Sequence, residues 1–406
     1  MAENAGNTDA AENTDVVVIG GGYAGVMAAN RLTRRDDVTV TLINPRRTFV
    51  HRIRLHQLVG GSDDAVVDYR EILGERVRLV ADTVTRIDAA GRGVTLASGG
   101  TVRYDYLIYA VGSGSADPRV PGAAEFAYPI AGLEEAHRLR PAVDAAPATA
   151  AVTVVGAGPT GIETAAELAE LGRTVTLVCG GVLGPYLHPR GRRSVARRLA
   201  KLGVTVLDGP DTKVTAVTRD AVRLSDGREL PSAVTVWTAG FGVPDLAARS
   251  GLSTDALGRL LTDETLTSVD DTRIVAAGDS AAPSGLPLRM SCQSAIPLGA
   301  RAADTVLSRI AGERPSRLNE LLVGQCISLG RRAGIVQAAN RNDVALWFHI
   351  DGRPAARLKE IVCKGTVKYL ADEARKPGSY GLHRVSGGPK RRQLLRAKRA
   401  EAAATA

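Results

Sequence analysis

Two glycine clusters have the residue types and spacing for chemistry. The first is Val16-Val17-Val18-Ile19-Gly20-Gly21-Gly22-Tyr23-Ala24-Gly25, an apolar run leading straight into glycines at 20, 22 and 25. The second, Val152-Thr153-Val154-Val155-Gly156-Ala157-Gly158-Pro159-Thr160-Gly161, repeats the arrangement 136 residues later. In such a turn the first glycine permits the bend, the second lets the backbone approach a phosphate, and the third lets helix and strand pack closely. The helix start then offers unpaired N–H groups and the positive end of its dipole to an anion. In a chain with 44 glycines the pattern alone is cheap; its place between an apolar strand and a helical run, twice, gives it meaning. Two dinucleotide pyrophosphates are therefore expected. Gly20, Gly22, Tyr23, Ala24 and Gly25 would cradle one, and Gly156, Gly158, Pro159, Thr160 and Gly161 the other.

A carboxylate for the adenosine ribose normally follows such glycines by about 20 residues. The strand after the first cluster, Val38 to Ile43, ends instead on Asn44, whose amide oxygen can accept from a hydroxyl without charge. The strand after the second, Thr174 to Val178, ends on Cys179-Gly180-Gly181. With no acid there and no arginine directly behind it, NADH and NADPH both stay open as the second dinucleotide. On the helix after Gly161, Glu163 and Glu167 lie one turn apart and share a face. Glu163 lies in the first turn, where a carboxylate favours the positive end of the helix dipole, and that alone could explain it.

The elements that must position these residues are α/β. The apolar strands run into loops and amphipathic stretches in the order expected of parallel sheets. Short strands and a hairpin fill residues 77 to 102, and Tyr104 to Gly112 reads as a buried strand whose Ala110 and Gly112 let the backbone close over a nucleotide. The segment Arg46 to Gln57 holds two histidines and several arginines; it reads as a solvated helix face, or as side chains near a cofactor. The four cysteines are widely spaced with no C-x-x-C, which suggests neither a disulfide scaffold nor a zinc site. Residues 1–14 are polar and small, lack the pattern of a signal peptide, and read as a disordered leader. No apolar run approaches the ~20 residues needed to cross a bilayer, and a reducing cytoplasm is expected. Net charge is +9, and it is concentrated: from Arg353 onward there are fourteen Lys or Arg against four Asp or Glu.

The order of nucleotide loop, Y-D-x-L-I-x-A-x-G strand (Tyr104 to Gly112), second nucleotide loop and Arg273-Ile274-Val275-Ala276-Ala277-Gly278-Asp279 resembles the two-dinucleotide-binding flavoprotein oxidoreductases. Within these it is most similar to type II NADH dehydrogenases and the apoptosis-inducing-factor-like quinone reductases. The resemblance implies two Rossmann-like domains, the second inserted in the first. FAD would occupy residues 15–123 and 256–330, and NADH or NADPH residues 124–255. A C-terminal segment (331–385) and a basic disordered tail (386–406) would follow. By position, Asn44 would lie beside the FAD ribose, Ala110 and Gly112 would cover the FAD, Arg52 would lie near it, and Gly278 and Asp279 would meet its ribitol or phosphate side. Glu163 would sit where nicotinamide meets flavin, in a proton-handling or positioning role. Gln293 would approach the flavin ring from the start of a helix in which Pro297 replaces the family's second glutamine.

The implied activity is hydride transfer from NAD(P)H to flavin, with electrons passed on to an acceptor, a quinone by resemblance. The alternatives are a flavoenzyme of specialised metabolism acting on a small molecule, a ferredoxin-type reductase, and a non-catalytic NAD(P)H-sensing flavoprotein. No metal and no nucleic-acid partner are expected. The basic stretch Arg357 to Leu370 reads as a helix packed on the FAD domain, or as a surface for peripheral contact with the inner face of a membrane.

Overall fold

The structure, a computed structural model, describes residues 13–319, 322–381 and 387–405. The expected leader lies almost wholly outside the described residues. The chain begins with β1 (Thr14–Ile19), helix α1 (Tyr23–Leu32), β2 (Val38–Asn44), helix α2 (Leu55–Val59), β3 (Val77–Ala81) and β4 (Tyr106–Tyr109). It continues through β5 (Ala127–Pro129), β6 (Ala151–Val155), helix α3 (Pro159–Glu170), β7 (Thr174–Val178), β8 (Thr205–Leu207) and β9 (Val234–Trp237). Then come β10 (Ile274–Ala276), helix α4 (Cys292–Ile310), β11 (Gly324–Ser328), β12 (Gly334–Ala339), β13 (Ala345–Asp351), helix α5 (Gly352–Arg375) and helix α6 (Lys390–Thr405).

Two five-stranded parallel sheets result, ordered β10-β4-β1-β2-β3 and β5-β9-β6-β7-β8. Each places its glycine-cluster strand, β1 or β6, at the centre. The chain leaves the first sheet after β4, completes the second, and returns to the first with β10. Both faces of β1 are buried: Val16 and Val18 pack toward α1 and α4, while Val17 and Ile19 pack toward Ile87, Leu246 and Leu260. That is why the strand reads as one apolar run rather than an alternation.

The C-terminal residues form a third layer. β11, β12 and β13 make an antiparallel sheet that starts before the boundary drawn at 331. Helix α5 packs against α1 and β12 along a stripe of Ala355, Lys359, Cys363, Thr366 and Leu370. The i, i+4 spacing of that stripe is the ordinary signature of a helix face turned inward. Buried Arg31 locks it to α1, donating to Glu373 at 3.0 Å and to Asp304 of α4 at 2.6 Å. The amphipathic stretch is therefore docked on the protein, leaving Ile361 and Val362 outward.

The tail differs from expectation. Residues 390–405, expected to be disordered, are the helix α6. The segment is rich in Ala, Arg, Lys and Leu, all strong helix formers. Arg391 anchors it by donating to Glu264 at 2.7 and 3.0 Å and to the carbonyls of Pro283 and Leu286. Among the described residues no helix is long and apolar enough to cross a membrane, and no group of His, Cys, Asp and Glu could hold a metal ion.

Candidate active site

Both glycine turns take a backbone course that their glycines make possible. Gly20 has φ +102° and Gly156 φ +116°, a region that L side chains rarely adopt. A Cβ on Gly25 would collide with the Gly20 carbonyl, and one on Gly161 with the Gly156 carbonyl. These four positions are thus fixed by the protein itself. Gly22 and Gly158 are different. A Cβ at either meets nothing within 4 Å, and as N-caps of α1 and α3 neither helix start receives a side-chain cap. Open space before uncapped N–H groups is what a dinucleotide diphosphate requires, so the residues present fit FAD and a nicotinamide dinucleotide. Ala24 packs against two glycines: a Cβ on Gly299 would collide with the Ala24 backbone, and one on Gly278 would lie 3.0 Å from the Ala24 Cβ. Pro159 and Thr160 open α3, and the Thr160 carbonyl accepts from Thr164 Oγ1 at 2.8 Å.

Asn44 turns back on its own loop. Its Oδ1 accepts from the Gly21 N–H at 3.0 Å and its Nδ2 donates to the Arg46 carbonyl at 2.9 Å, while Tyr69 Oη donates to the Gly21 carbonyl at 2.7 Å. Asn44 therefore holds the shape of the first turn.

At the carboxyl end of the first sheet a polar cluster closes around Asp279. Its Oδ2 accepts from Ser113 Oγ at 2.7 Å and its Oδ1 from the Ser291 N–H at 3.2 Å. Arg52 donates to Ser113 Oγ at 3.1 Å and to the Ala131 carbonyl at 3.0 Å, and its Nη1 stands 3.9 Å from Asp279 Oδ2. Ala110, buried, donates its N–H to the Ile19 carbonyl, and Gly112, at φ +72°, has open space where a Cβ would be. The cluster thus unites Arg52, Gly112, Gly278 and Asp279 from three separate stretches. Sequence reasoning missed Ser113, one residue beyond the Ala-x-Gly closure.

Gln293 lies in the first turn of α4, which Ser291 caps by accepting from the Ser294 N–H at 3.2 Å. Its Oε1 is buried with no partner among the described residues. Pro297 lies inside α4, and lacking an N–H it leaves the Gln293 carbonyl without its i+4 donor. Tyr23, edge-on against Phe49, also keeps a buried hydroxyl with no side-chain partner among the described residues.

Glu163 is buried and held by groups the sequence did not pair with it. Its Oε1 accepts from Lys359 Nζ at 2.9 Å and from the Ser328 N–H at 3.0 Å; its Oε2 lies 3.7 Å from His56 Nδ1. Burial works to raise the carboxyl, but the Lys359 charge, then His56 and the Ser328 N–H, hold it below the usual range. Burial pulls His56 down to about 4, so the ring is neutral and the true ion pair is Glu163 with Lys359. Lys359 stays charged because Glu163 outweighs its burial, and it also donates to the Cys326 carbonyl at 3.1 Å. Within the Arg46–Gln57 segment, His51, Arg54, His56 and Gln57 are all buried, so it is not a solvated face. The faint signal for Lys359 was its spacing of four and seven residues from Cys363 and Thr366 on one helical face.

Burial disfavours the thiolate form of the cysteines. All four are free, and burial pushes Cys292 up to about 11 and raises Cys326 and Cys363. Such thiols are protonated at neutral pH.

The family model for pyridine nucleotide-disulphide oxidoreductases matches residues 14–303, a span holding both glycine turns and the Asp279 cluster. This chain belongs to that family. It is a two-domain oxidoreductase of the FAD- and NAD(P)-binding type. An NADH dehydrogenase-like protein of Mycobacterium tuberculosis is 34% identical over 326 residues, covering 73% of this chain and 80% of the relative. The type II NADH:quinone oxidoreductase Ndh of the same organism is 31% identical over 347 residues, covering 74% of each. Among solved structures, the sulfide:quinone oxidoreductase of Aquifex aeolicus has a TM-score of 0.73 at 19% identity, covering 89% of this chain and 92% of that one. NDH2 of Plasmodium falciparum in complex with NADH has a TM-score of 0.71 at 16% identity, covering 91% and 99%. At such identities the structural likeness speaks for the fold.

Proposed function

We propose that this oxidoreductase takes hydride from NAD(P)H onto FAD and passes the electrons to a quinone. FAD would occupy the cradle before α1, and NAD(P)H the cradle before α3. The observation that carries the reading is the pair of uncapped helix starts with open space at Gly22 and Gly158, each at the centre of its own parallel sheet. When bound, the flavin supplies the redox chemistry, accepting hydride from reduced nicotinamide and returning electrons to the acceptor. The protein supplies binding and electrostatics. The N–H groups of α1 and α3 would hold the diphosphates, and Arg52, Ser113 and Asp279 would orient the polar side of the FAD. Glu163, paired with Lys359 and bonded by the Ser328 N–H, would serve as a fixed negative charge that positions its neighbours. Tyr23 Oη and Gln293 Oε1 are buried polar atoms with hydrogen-bonding capacity left for a bound group. The named activity of the Mycobacterium Ndh relative supports a quinone as acceptor.

The test is the visible spectrum of the purified protein. A flavin spectrum bleached anaerobically by reduced nicotinamide and restored by a short-chain quinone is expected. A protein that cannot take up FAD, or whose flavin no nicotinamide reduces, overturns the reading. A lipid-soluble acceptor also fits peripheral membrane contact through the exposed Trp347 and Phe348 of β13 and Ile361 of α5. Trp347→Ser combined with Ile361→Ser is then expected to lower co-sedimentation with anionic vesicles, leaving oxidation of NAD(P)H by a soluble quinone unchanged. Equal co-sedimentation of variant and wild type sinks that contact.

A further inference from the structure

The second cradle lacks a ribose carboxylate at its usual place. β7 ends on Val178, and Cys179, Gly180 and Gly181 follow; none can accept strongly from a hydroxyl. The half-buried Cys179 thiol is pushed up to about 12, first by burial and then by the charge of Asp208, so it stays a weak neutral group.

The neighbouring strand supplies what is missing. β8 runs parallel to β7 with Val178 opposite Leu207, and the residues that follow, Asp208 and Cys179, are near enough for the carboxylate charge to act on the thiol. Two backbone hydrogen bonds pin that corner: Cys179 N–H to the Leu207 carbonyl at 2.8 Å, and Gly209 N–H to the Gly181 carbonyl at 2.7 Å. Asp208 thus stands one strand spacing, about 4.8 Å, from the usual position of the acid. It lies at the carboxyl end of the sheet, the end where nucleotides lie on doubly wound folds. It is exposed, and its carboxylate makes no ion pair among the described residues. Asp211 and Lys213 are the other charged residues of this turn, and the Lys213 Cα and Cγ lie 3.9 Å from where a Cβ on Gly180 would be.

We propose that Asp208 replaces the absent strand-end acid: it accepts from the adenosine ribose hydroxyls and makes the second site prefer NADH over NADPH. A carboxylate there satisfies a 2′-hydroxyl and repels a 2′-phosphate. The inference rests on the reading that the α3 cradle holds the nicotinamide dinucleotide.

The test uses the full-length, FAD-loaded protein and anaerobic flavin bleaching at varied NADH and NADPH. Asp208→Asn is expected to weaken the NADH Kd by roughly tenfold, the loss of one charge-assisted hydrogen bond. The bleaching rate at saturating NADH should hold, because the flavin end is untouched. The NADPH Kd should improve or stay level, so the NADH/NADPH ratio falls. Asp208→Glu should recover part of the preference, and Lys213→Ala should leave it intact. Flavin content equal to wild type shows that Asp208→Asn is folded. A ratio within twofold of wild type in Asp208→Asn, or a wild-type preference for NADPH that Lys213→Ala abolishes, overturns the assignment of Asp208 alone. If neither coenzyme bleaches the wild-type flavin, the nicotinamide reading itself falls.

Discussion

Replacing Lys359 with Met would leave the Glu163 carboxylate buried without its countercharge. In the native protein the two groups are 8% and 10% exposed and 2.9 Å apart. At that separation and an effective dielectric of about 20, their attraction is about 6 kcal/mol. Desolvation of two ions offsets most of it, so the pair adds little net stability. Removing one partner is another matter, and typically costs about 3–5 kcal/mol because the remaining charge has no compensation. The pH dependence fixes the sign. Native Glu163 lies below its usual range, so its contribution is full above the unfolded carboxyl pKa and is lost as pH falls through the folded value. Without Lys359, burial wins and the carboxyl rises, so the variant escapes its penalty by taking up a proton. Guanidinium unfolding at pH 7.5 and 5 measures this. Lys359→Met should lose about 3–5 kcal/mol at pH 7.5 and less at pH 5. The double variant Lys359→Met with Glu163→Met should recover most of that loss. A single variant within about 1 kcal/mol of wild type at pH 7.5, or a double variant no better than the single, refutes the buried pair.

Three further outcomes are expected. Gly25→Ala puts a methyl into the Gly20 carbonyl and should fail to fold or to bind FAD, whereas Gly22→Leu, pointing into open space, should fold with normal far-UV dichroism yet lose FAD; flavin absorbance against dichroism separates the two, and a Gly22→Leu protein with full flavin contradicts the assigned cradle. Buried His51 is held down to about 4 from 6.5, chiefly by burial, so the unfolded chain binds the extra proton between those values. His51→Gln should therefore lessen acid destabilisation below pH 6.5, by up to roughly 3 kcal/mol near pH 4; unchanged pH dependence of unfolding argues against a neutral buried ring. Arg391→Met leaves the buried Glu264 carboxylate unpaired and should free the start of α6 from the 283–286 loop, read as faster proteolysis after Lys390 and Lys398; an unchanged digestion pattern counts against the anchor.

Much of the cofactor scaffold was legible because it is local. Gly20, Gly25, Gly156 and Gly161 are fixed by backbone conformation and by clashes within their own turns, so spacing alone reveals them. The apolar runs of β1 and β6 and the Ala110-x-Gly112 closure likewise show in a few consecutive residues. That Arg52, Ser113 and Asp279 meet is a different kind of fact, since they lie 61 and 166 residues apart along the chain. No local pattern encodes such a meeting; the return of β10 beside β4 makes it. The same holds for Glu163, whose partners Lys359 and Ser328 arrive from the C-terminal layer, and for Asp208, which comes near Cys179 only because β8 pairs with β7. Asn44 had the right place for a ribose contact, but its side chain closes the glycine turn. The composition of the tail showed its charge, while helix propensity and the Glu264 anchor decided its shape. The sequence alone determined the two glycine turns, because the backbone of each demands its glycines; only the tertiary structure decided which charged groups pair and which are buried, because burial and countercharge are properties of neighbours distant in the chain.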